Sequence, residues 1–371
     1  MGVKINAYAY CTRAVQYDMP FEASIRSWAA LCSSGRVVVT TDPRFDDGTL
    51  EALRELESRM ANLLVIESPW QLDEPGCDGL AKATAREEAL VGSPDVLVPF
   101  DVDEVLHEGD VRRLQSAAEE QVARNWPIVS TGCFDWYNGE HIRLSAPLHK
   151  PRLTLASAPL THGIPAGFRQ ERPDGKIWCD KGLSDGAGLI HSETLAPVAD
   201  SVCLSEPLRV RVGAEHMPDE TSEDCELLVA SMCNREHVWI RHYSWYDIPR
   251  KWAMEQTWEF LWGHLDGDIP SVEKYDTFKD GQSVDFWDMN DSRASLQSYI
   301  PPLLDQMSKP DVVRLAWMGH PAVVKPWLNG RERRIWRGKS GLGKEEALQK
   351  PSRIRAVRDR VRQRLRPEYD Y

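Results

Sequence analysis

The sequence has no apolar run approaching the ~20 residues that a helix needs to cross a bilayer, so a helical membrane span is not expected. Its eight cysteines, at positions 11, 32, 77, 133, 179, 203, 225 and 233, include no Cys-x-x-Cys pair. Zinc-site spacing is therefore absent, and a chain of this length does not need a disulfide framework, so reduced and mostly buried thiols are expected. There are no internal repeats and no low-complexity tracts, which excludes a repeat architecture. Gly341-Leu342-Gly343-Lys344 lacks the Gly-x-x-x-x-Gly-Lys-Ser/Thr spacing of a phosphate-binding loop and has no strand before it. The opening residues lack the long apolar stretch and cleavage site of a secretory leader. Position six is Asn6 rather than Ser or Thr, so Gly2 does not open a myristoylation motif. A cytoplasmic protein is expected.

What the chain does contain is a substantial core and an uneven charge. Of its 371 residues 42% are hydrophobic and fourteen are Trp, a composition of ordered globular proteins. The net charge is −12, yet residues 331–371 hold fourteen Lys and Arg against six Asp and Glu, which leaves −20 on the preceding 330. An acidic body repels nucleic acid, while a basic tail attracts anionic surfaces. Within that tail, Ile354, Val357, Val361 and Leu365 fall on one stripe of a predicted helix over 351–365, and seven arginines cover much of the rest. That helix fits either the protein's own acidic body or an anionic surface such as a membrane, so the protein is expected to be cytoplasmic and, through the tail, membrane-peripheral.

Hydrophobic patterning orders the first hundred residues. Residues 4–11, 36–41, 62–67 and 95–100 are β-rich runs, separated by helical patterns over 21–31, about 49–60 and 80–90. Strands alternating with helices at these intervals imply an α/β fold with a parallel sheet covered on both faces. Beyond residue 104 a helix over 109–123 precedes a strand-like aromatic stretch over 128–137. Residues 147–188, rich in Pro and Gly, predict long loops with short strands. Strands are expected at 207–212 and 238–242, and helices at 249–265, 292–307 and 310–318.

The most informative stretch is Val96-Leu97-Val98-Pro99-Phe100-Asp101-Val102-Asp103-Glu104. A buried strand runs out into three carboxylates, at the end of a parallel sheet where ligands bind. Side chains alternate along extended chain, which puts Asp101 and Asp103 on one side, where a cation between them relieves their repulsion. Hard divalent ions prefer such oxygen ligands, and Mg²⁺ is commonly shared between carboxylates and substrate phosphates.

The order of motifs resembles the family-two glycosyltransferases of GT-A fold. Asp46-Asp47-Gly48-Thr49, Ala85-Arg86 and Asp101-Val102-Asp103-Glu104 match that family's "D-x-x-S-x-D-G-T", "A-x-A-R-N-x-G-L" and "D-A-D-E". The likeness covers about 1–110 well and 235–260 more loosely. It departs at Glu87, where Asn is usual, and at Pro43-Arg44-Phe45, where a Ser is common. It implies a mixed, mostly parallel Rossmann-like sheet flanked by helices, with a mainly helical C-terminal extension. The implied division is a catalytic domain over 1–265 (a nucleotide-sugar half over 1–110, an acceptor half over 111–265) and an extension over 266–371.

The resemblance also implies roles. Tyr8 and Tyr10 would flank the nucleotide base and Asp42 would bond to it, while Arg86 would face the ribose or diphosphate. Asp101 would contact the ribose or sugar. Asp103 would hold Mn²⁺ or Mg²⁺ together with His242, in a His242-Tyr243-Ser244 stretch like the family's late metal-binding histidine. Lys251 would meet a phosphate. A base for the acceptor hydroxyl is sought between these motifs, with Asp185 preferred, then Asp180 and Glu215. Apart from the resemblance, Thr161-His162-Gly163-Ile164-Pro165 is an unusual loop expected to shape the acceptor side. The implied activity is metal-dependent transfer of a sugar from a nucleotide-diphosphate donor, UDP foremost, to a hydroxyl of a surface glycan or lipid-linked saccharide. The rivals are a glycosyltransferase acting on a modified DNA base, which the acidic body disfavours, and a non-catalytic scaffold binding a nucleotide or glycan.

Overall fold

A computed structural model describes residues 2–44, 47–70, 77–137, 141–143, 148–163, 170–171, 177–178, 189–192, 202–203, 238–244, 246, 312–314 and 320–329. Its first part alternates as the patterning predicts: β1 (Ile5–Tyr10), α1 (Phe21–Ala29), β2 (Val37–Thr41), α2 (Thr49–Arg59), β3 (Leu63–Glu67), α3 (Cys77–Leu90) and β4 (Val96–Pro99). There follow β5 (Glu104–Val105), α4 (Val111–Arg124), β6 (Ile128–Tyr137), β7 (His141–Arg143) and β8 (Leu148–Leu155). β1 lies between β2 and β4, with Ala7 opposite both Val37 and Val98, and β3 lies outside β2. All four strands are parallel, so their carboxyl ends share one edge. β8 joins β4 antiparallel, β6 joins β8 antiparallel, and the strand Trp239–His242 runs parallel to β6 and antiparallel to β5. The result is the mixed α/β sheet flanked by helices that a GT-A-like fold requires.

Alternation along β1 sorts the two layers. Ile5, Ala7 and Ala9 join Ile25, Trp28, Leu53 and Leu56 in the larger core, where Trp28 stacks on Phe100 with ring centroids 5.6 Å apart. Tyr8 points to the other face and packs with Val38, Leu97, Ala85 and Ala89 beneath α3. Burial of these apolar faces holds the helices on the sheet, at ~25 cal/mol per Å² removed from water. Where α1 leads into β2 the chain passes very close to β1: a Cβ on Gly35 would lie 1.8 Å from the Ile5 carbonyl oxygen, so only glycine fits.

The acidic turn before α2 has a clear structural task. Asp47 accepts hydrogen bonds from the Thr49 amide at 3.0 Å and the Gln16 amide at 2.9 Å, and the Thr49 hydroxyl accepts one from Val15 N at 3.1 Å. Asp47 and Thr49 thus tie the loop after β1 to the start of α2, across a left-handed Gly48 (φ +87°). Asp46 lies outside the described residues.

Two expectations are corrected. Residues 147–188 were expected to be long loops with short strands, yet β8 within them is an eight-residue strand at the centre of the sheet. Pro151 obscured it: proline gives no ladder donor and usually argues against a central strand, and here it sits beside a register shift at Val129/Ser130 of β6. Residues 310–318 were expected to be helical, yet Val312–Arg314 is a strand antiparallel to β7. A three-residue Val-Val-Arg run is too short for periodicity to decide. The strand at 207–212 and the helices at 249–265, 292–307 and 351–365 fall outside the described residues. A described C-terminal piece, the 3-10 turn Ala322–Val324 and helix Lys325–Leu328, packs against α1. There Trp327 Nε1 donates to the Asp18 carbonyl at 3.1 Å.

Candidate functional site

The carboxyl ends of β1, β2 and β4 and the strand Trp239–His242 bring the candidate residues to one edge. After β4 the chain turns through Asp101–Glu104, and α1 pins this turn from below. Ser24 Oγ donates to the Glu104 carbonyl at 2.6 Å, and Trp28 Nε1 donates to the same oxygen at 3.0 Å. The Glu104 side chain folds back and accepts the Asp101 amide at 3.0 Å.

Asp103 and His242, far apart in sequence, meet here. His242 Nε2 lies 3.3 Å from Asp103 Oδ2, both side chains being about nine-tenths buried. The backbone fixes this meeting: His242 is in register with Glu104 across the β5 pairing, and Tyr243 N donates to the Asp103 carbonyl at 2.9 Å. One carboxylate oxygen and one imidazole nitrogen at that separation fit adjacent positions around a first-row divalent ion, whose ligand bonds are ~2.0–2.2 Å. Among the described residues no group of three His, Cys, Asp or Glu side chains gathers to hold a metal. Any further ligands at this pair would therefore come from substrate, water or residues outside the description.

Asp101 has different company. Lys82 Nζ of α3 reaches its Oδ1 at 2.5 Å, Lys150 Nζ of β8 its Oδ2 at 3.2 Å, and Arg152 Nη2 stands 3.9 Å away. Burial pushes its carboxyl pKa up, but Lys82, then Lys150 and Arg152, outweigh this and hold it well below the usual carboxylate range. Glu104 is fully buried: it takes the Arg152 guanidinium on both oxygens and Lys150 Nζ at 2.7 Å on one. Burial pulls the Lys150 ammonium pKa down, and Glu104 and Asp101 more than reverse that, leaving it well above the ordinary lysine value.

Asp42 is buried at the end of β2. It accepts the Trp70 amide at 2.7 Å, the Arg44 amide at 2.9 Å and the Arg44 guanidinium at 2.6 Å. Burial pushes its pKa up; Arg44 and the two amides outweigh that and hold it below the usual value. Tyr10 packs edge-on against Trp70 with centroids 5.7 Å apart, and Lys82 Nζ lies 5.8 Å from the Tyr10 ring centroid. Tyr8 is in the core, its hydroxyl 2.8 Å from His162 Nε2. Arg86 is buried beside that hydroxyl and donates to the Ala158 carbonyl at 3.4 Å. Tyr8 and Arg86 therefore brace α3 and the 158–163 loop from within. Lys251, Asp185, Asp180 and Glu215 lie outside the described residues.

The sequence reading missed Lys82, Lys150 and Arg152, and marked His162 only as part of a loop, with no chemistry of its own. Lys82, Lys150 and Arg152 each had a signal. Lys82 and Arg86 are four apart on α3 and so share a helix face, and Lys150 and Arg152 are two apart on β8 and share a strand face.

No known family profile matches the chain, and no curated protein matches its sequence. Among solved structures, a crystal structure of S. aureus TarS 1–349 aligns over 100% of this chain and 94% of that one, with 13% identity and a TM-score of 0.31. S. aureus TarS 1–349 in complex with UDP-GlcNAc aligns over 37% of this chain and 35% of that one, at 18% identity and TM-score 0.27. Another S. aureus TarS structure aligns over 38% of this chain but only 22% of its own length, at 17% identity and TM-score 0.25. Likenesses at these scores assign no function.

Proposed function

We propose that this protein is a metal-dependent glycosyltransferase, transferring a sugar from a nucleotide-diphosphate donor to a hydroxyl acceptor on a surface glycan or lipid-linked saccharide. The observation that carries the reading is the 3.3 Å pairing of Asp103 with His242 at the carboxyl edge of the parallel strands. A nucleotide site is at home on that edge. Asp103 and His242 would hold Mn²⁺ or Mg²⁺, and the donor's phosphate oxygens would complete its coordination. When bound, the cation neutralises the charge that develops on the departing nucleoside diphosphate.

The rest is the work of the chain's own side chains. Tyr10 stands at the end of β1, where a nucleotide base would sit, edge-on to the buried Trp70, and Asp42 would support that wall through the Arg44 guanidinium and the Trp70 amide. Asp101 is partly exposed, its side chain retaining 32% of its accessibility, and is held ionised, so one oxygen can accept a ribose or sugar hydroxyl while the lysines keep it in place. Glu104 touches no open surface; it positions Arg152 and Lys150. The acceptor's proton needs a carboxylate base, for which Asp185 remains the preferred residue, ahead of Asp180 and Glu215, with Lys251 as a phosphate contact.

A thermal-shift screen of UDP, GDP, CDP and dTDP, each with Mn²⁺, Mg²⁺ or EDTA, tests the reading, since a ligand that binds the native state raises the melting temperature. Stabilisation by one nucleotide, strengthened by metal, is the expected result. No stabilisation by any nucleotide under any condition would overturn it.

A further inference from the structure

Asp42 does not face a ligand directly, because none of its side chain is exposed. Its Oδ1 accepts the Arg44 amide at 2.9 Å and the Arg44 Nε–H at 3.0 Å. Its Oδ2 accepts Arg44 Nη2 at 2.6 Å and the Trp70 amide at 2.7 Å. Arg44, by contrast, keeps 48% of its side-chain accessibility. Its Nη2 also donates to the Trp70 carbonyl, which ties the guanidinium to the residue whose ring meets Tyr10 edge-on. Asp42 and that carbonyl take the Nε and Nη2 side of the planar group, so Nη1 is on the side turned away from Asp42. Lys82 Nζ is the other charge at this wall, 5.8 Å from the Tyr10 ring centroid. A guanidinium and an ammonium carry N–H donors and no acceptor. The charged groups at the Tyr10–Trp70 wall are therefore donors, where the resemblance implies a carboxylate. The change traces to Arg44, in the Pro43-Arg44-Phe45 stretch that departs from the family pattern.

We infer that Arg44, not Asp42, selects the nucleotide base, and that the base it selects presents hydrogen-bond acceptors: cytosine or guanine, ahead of uracil and thymine. The inference rests on the proposed nucleotide-sugar reading and deepens it by naming the class of donor, which differs from the uridine donor that the resemblance implies. Uracil and cytosine share one ring and differ at position 3, where uracil carries N–H and cytosine a bare nitrogen with a lone pair. A carboxylate suits the first and a guanidinium the second. Uracil can offer Arg44 its O2 or O4, but N3–H lies beside either and would be turned toward a cation that has no acceptor for it. A donor shut away from water without a partner costs free energy, so this mismatch weakens binding. Cytosine offers N3 and O2 side by side. Guanine offers O6 and N7, the pair that arginine most often takes when it reads a base.

The test is calorimetric titration of the full-length protein, in Mn²⁺, with CDP, GDP, UDP and dTDP. CDP or GDP is expected to bind about tenfold or more tightly than UDP and dTDP, the scale of one base contact. Whichever of the two binds tighter tells cytosine from guanine. An analogue without the acceptor, 3-deaza-CDP or 7-deaza-GDP as the case requires, should lose most of that advantage, and this arm needs no variant. Arg44→Gln, whose amide adds an acceptor to its donors, should bring the four nucleotides to within about threefold of one another. Asp42 loses its cationic partner in that variant, so circular dichroism and melting check the fold. Arg44→Lys, which keeps the charge and has donors only, should preserve the order of preference. UDP or dTDP binding tightest, equal binding of all four, a deaza analogue as tight as its parent, or an unaltered preference in folded Arg44→Gln would overturn the inference. Each of those results leaves the glycosyltransferase reading standing. Absence of binding by every nucleotide removes that reading, and this inference with it.

Discussion

The Tyr243 hydroxyl meets His320 Nδ1 at 2.9 Å, joining the strand that carries His242 to a segment from the C-terminal part of the chain. His320 also lies 4.3 Å, centroid to centroid, from the fully buried Trp136, and Trp327 packs edge-on to Tyr243 at 5.8 Å. Residues 320–329 thereby help to cover the wall behind the candidate metal pair.

Removing that cover should therefore be felt at the pair. Trp327→Ala is expected to destabilise the protein by ~3 kcal/mol, in the range for a large aromatic removed from a packed setting. Urea denaturation measures the loss. A change below about 0.5 kcal/mol would mean the segment rests on the surface without contributing to the core.

Substitution of the pair itself should separate binding from folding. Asp103→Ala and His242→Ala are each expected to lower metal affinity by a factor of 100 or more, given that even outer partners of metal ligands are worth 10- to 100-fold. Mn²⁺-dependent nucleotide binding, read by calorimetry, should fall with it while the melting temperature without metal changes little. Unchanged metal dependence in both variants would remove this pair from the site.

Glu104 should behave in the opposite way. Its side chain is fully buried against Arg152 and Lys150, and removing one partner of such a pair costs ~3–5 kcal/mol because the other charge is left uncompensated. Glu104→Ala is thus expected to damage stability first and activity only as a consequence. A fully stable Glu104→Ala with lost activity would show that Glu104 touches substrate.

Stability should fall off at both ends of the pH scale. Asp101 has a depressed pKa when folded, so its contribution is complete above the ordinary carboxylate value of 3.8 and is lost as pH falls below it. Lys150 is raised well above 10.5, and its contribution is complete below that value and lost as pH climbs beyond it. Burial pushes the Cys32 thiol from 9.0 up to about 12, so the unfolded chain ionises first and stability already declines between these values. Denaturation midpoints from pH 3 to 11 should trace a plateau from roughly pH 5 to 8, falling on both sides. Cys32→Ala should soften the alkaline decline.

Much of this was legible from residue order alone. The parallel strands and the acidic run after β4 were read from patterning, because each is a local signal: Val- and Leu-rich runs, and Asp spaced by one residue. The late histidine came from the family resemblance together with its place at a strand end. What was not legible depends on distant parts of the chain meeting. Asp42 looked available to a ligand until Arg44 and Trp70 N were seen to occupy it. Tyr8 and Arg86 have the residue types of a ligand site, and only the packing of α3 on β1 shows that they face inward. Lys150 and Arg152 were hidden because Pro151 between them disguised the strand.

The pairing of Trp239–His242 with both β5 and β6 has a kinetic consequence. This strand closes a loop of more than a hundred residues, and contacts so remote in sequence are slow to form because chain entropy is lost before they are gained. Asp103 and His242 can face one another only once that closure is made. A ligand held between them would therefore act chiefly as a clasp on the finished fold. It would lengthen the lifetime of the native state by slowing unfolding, and leave the rate of folding almost untouched.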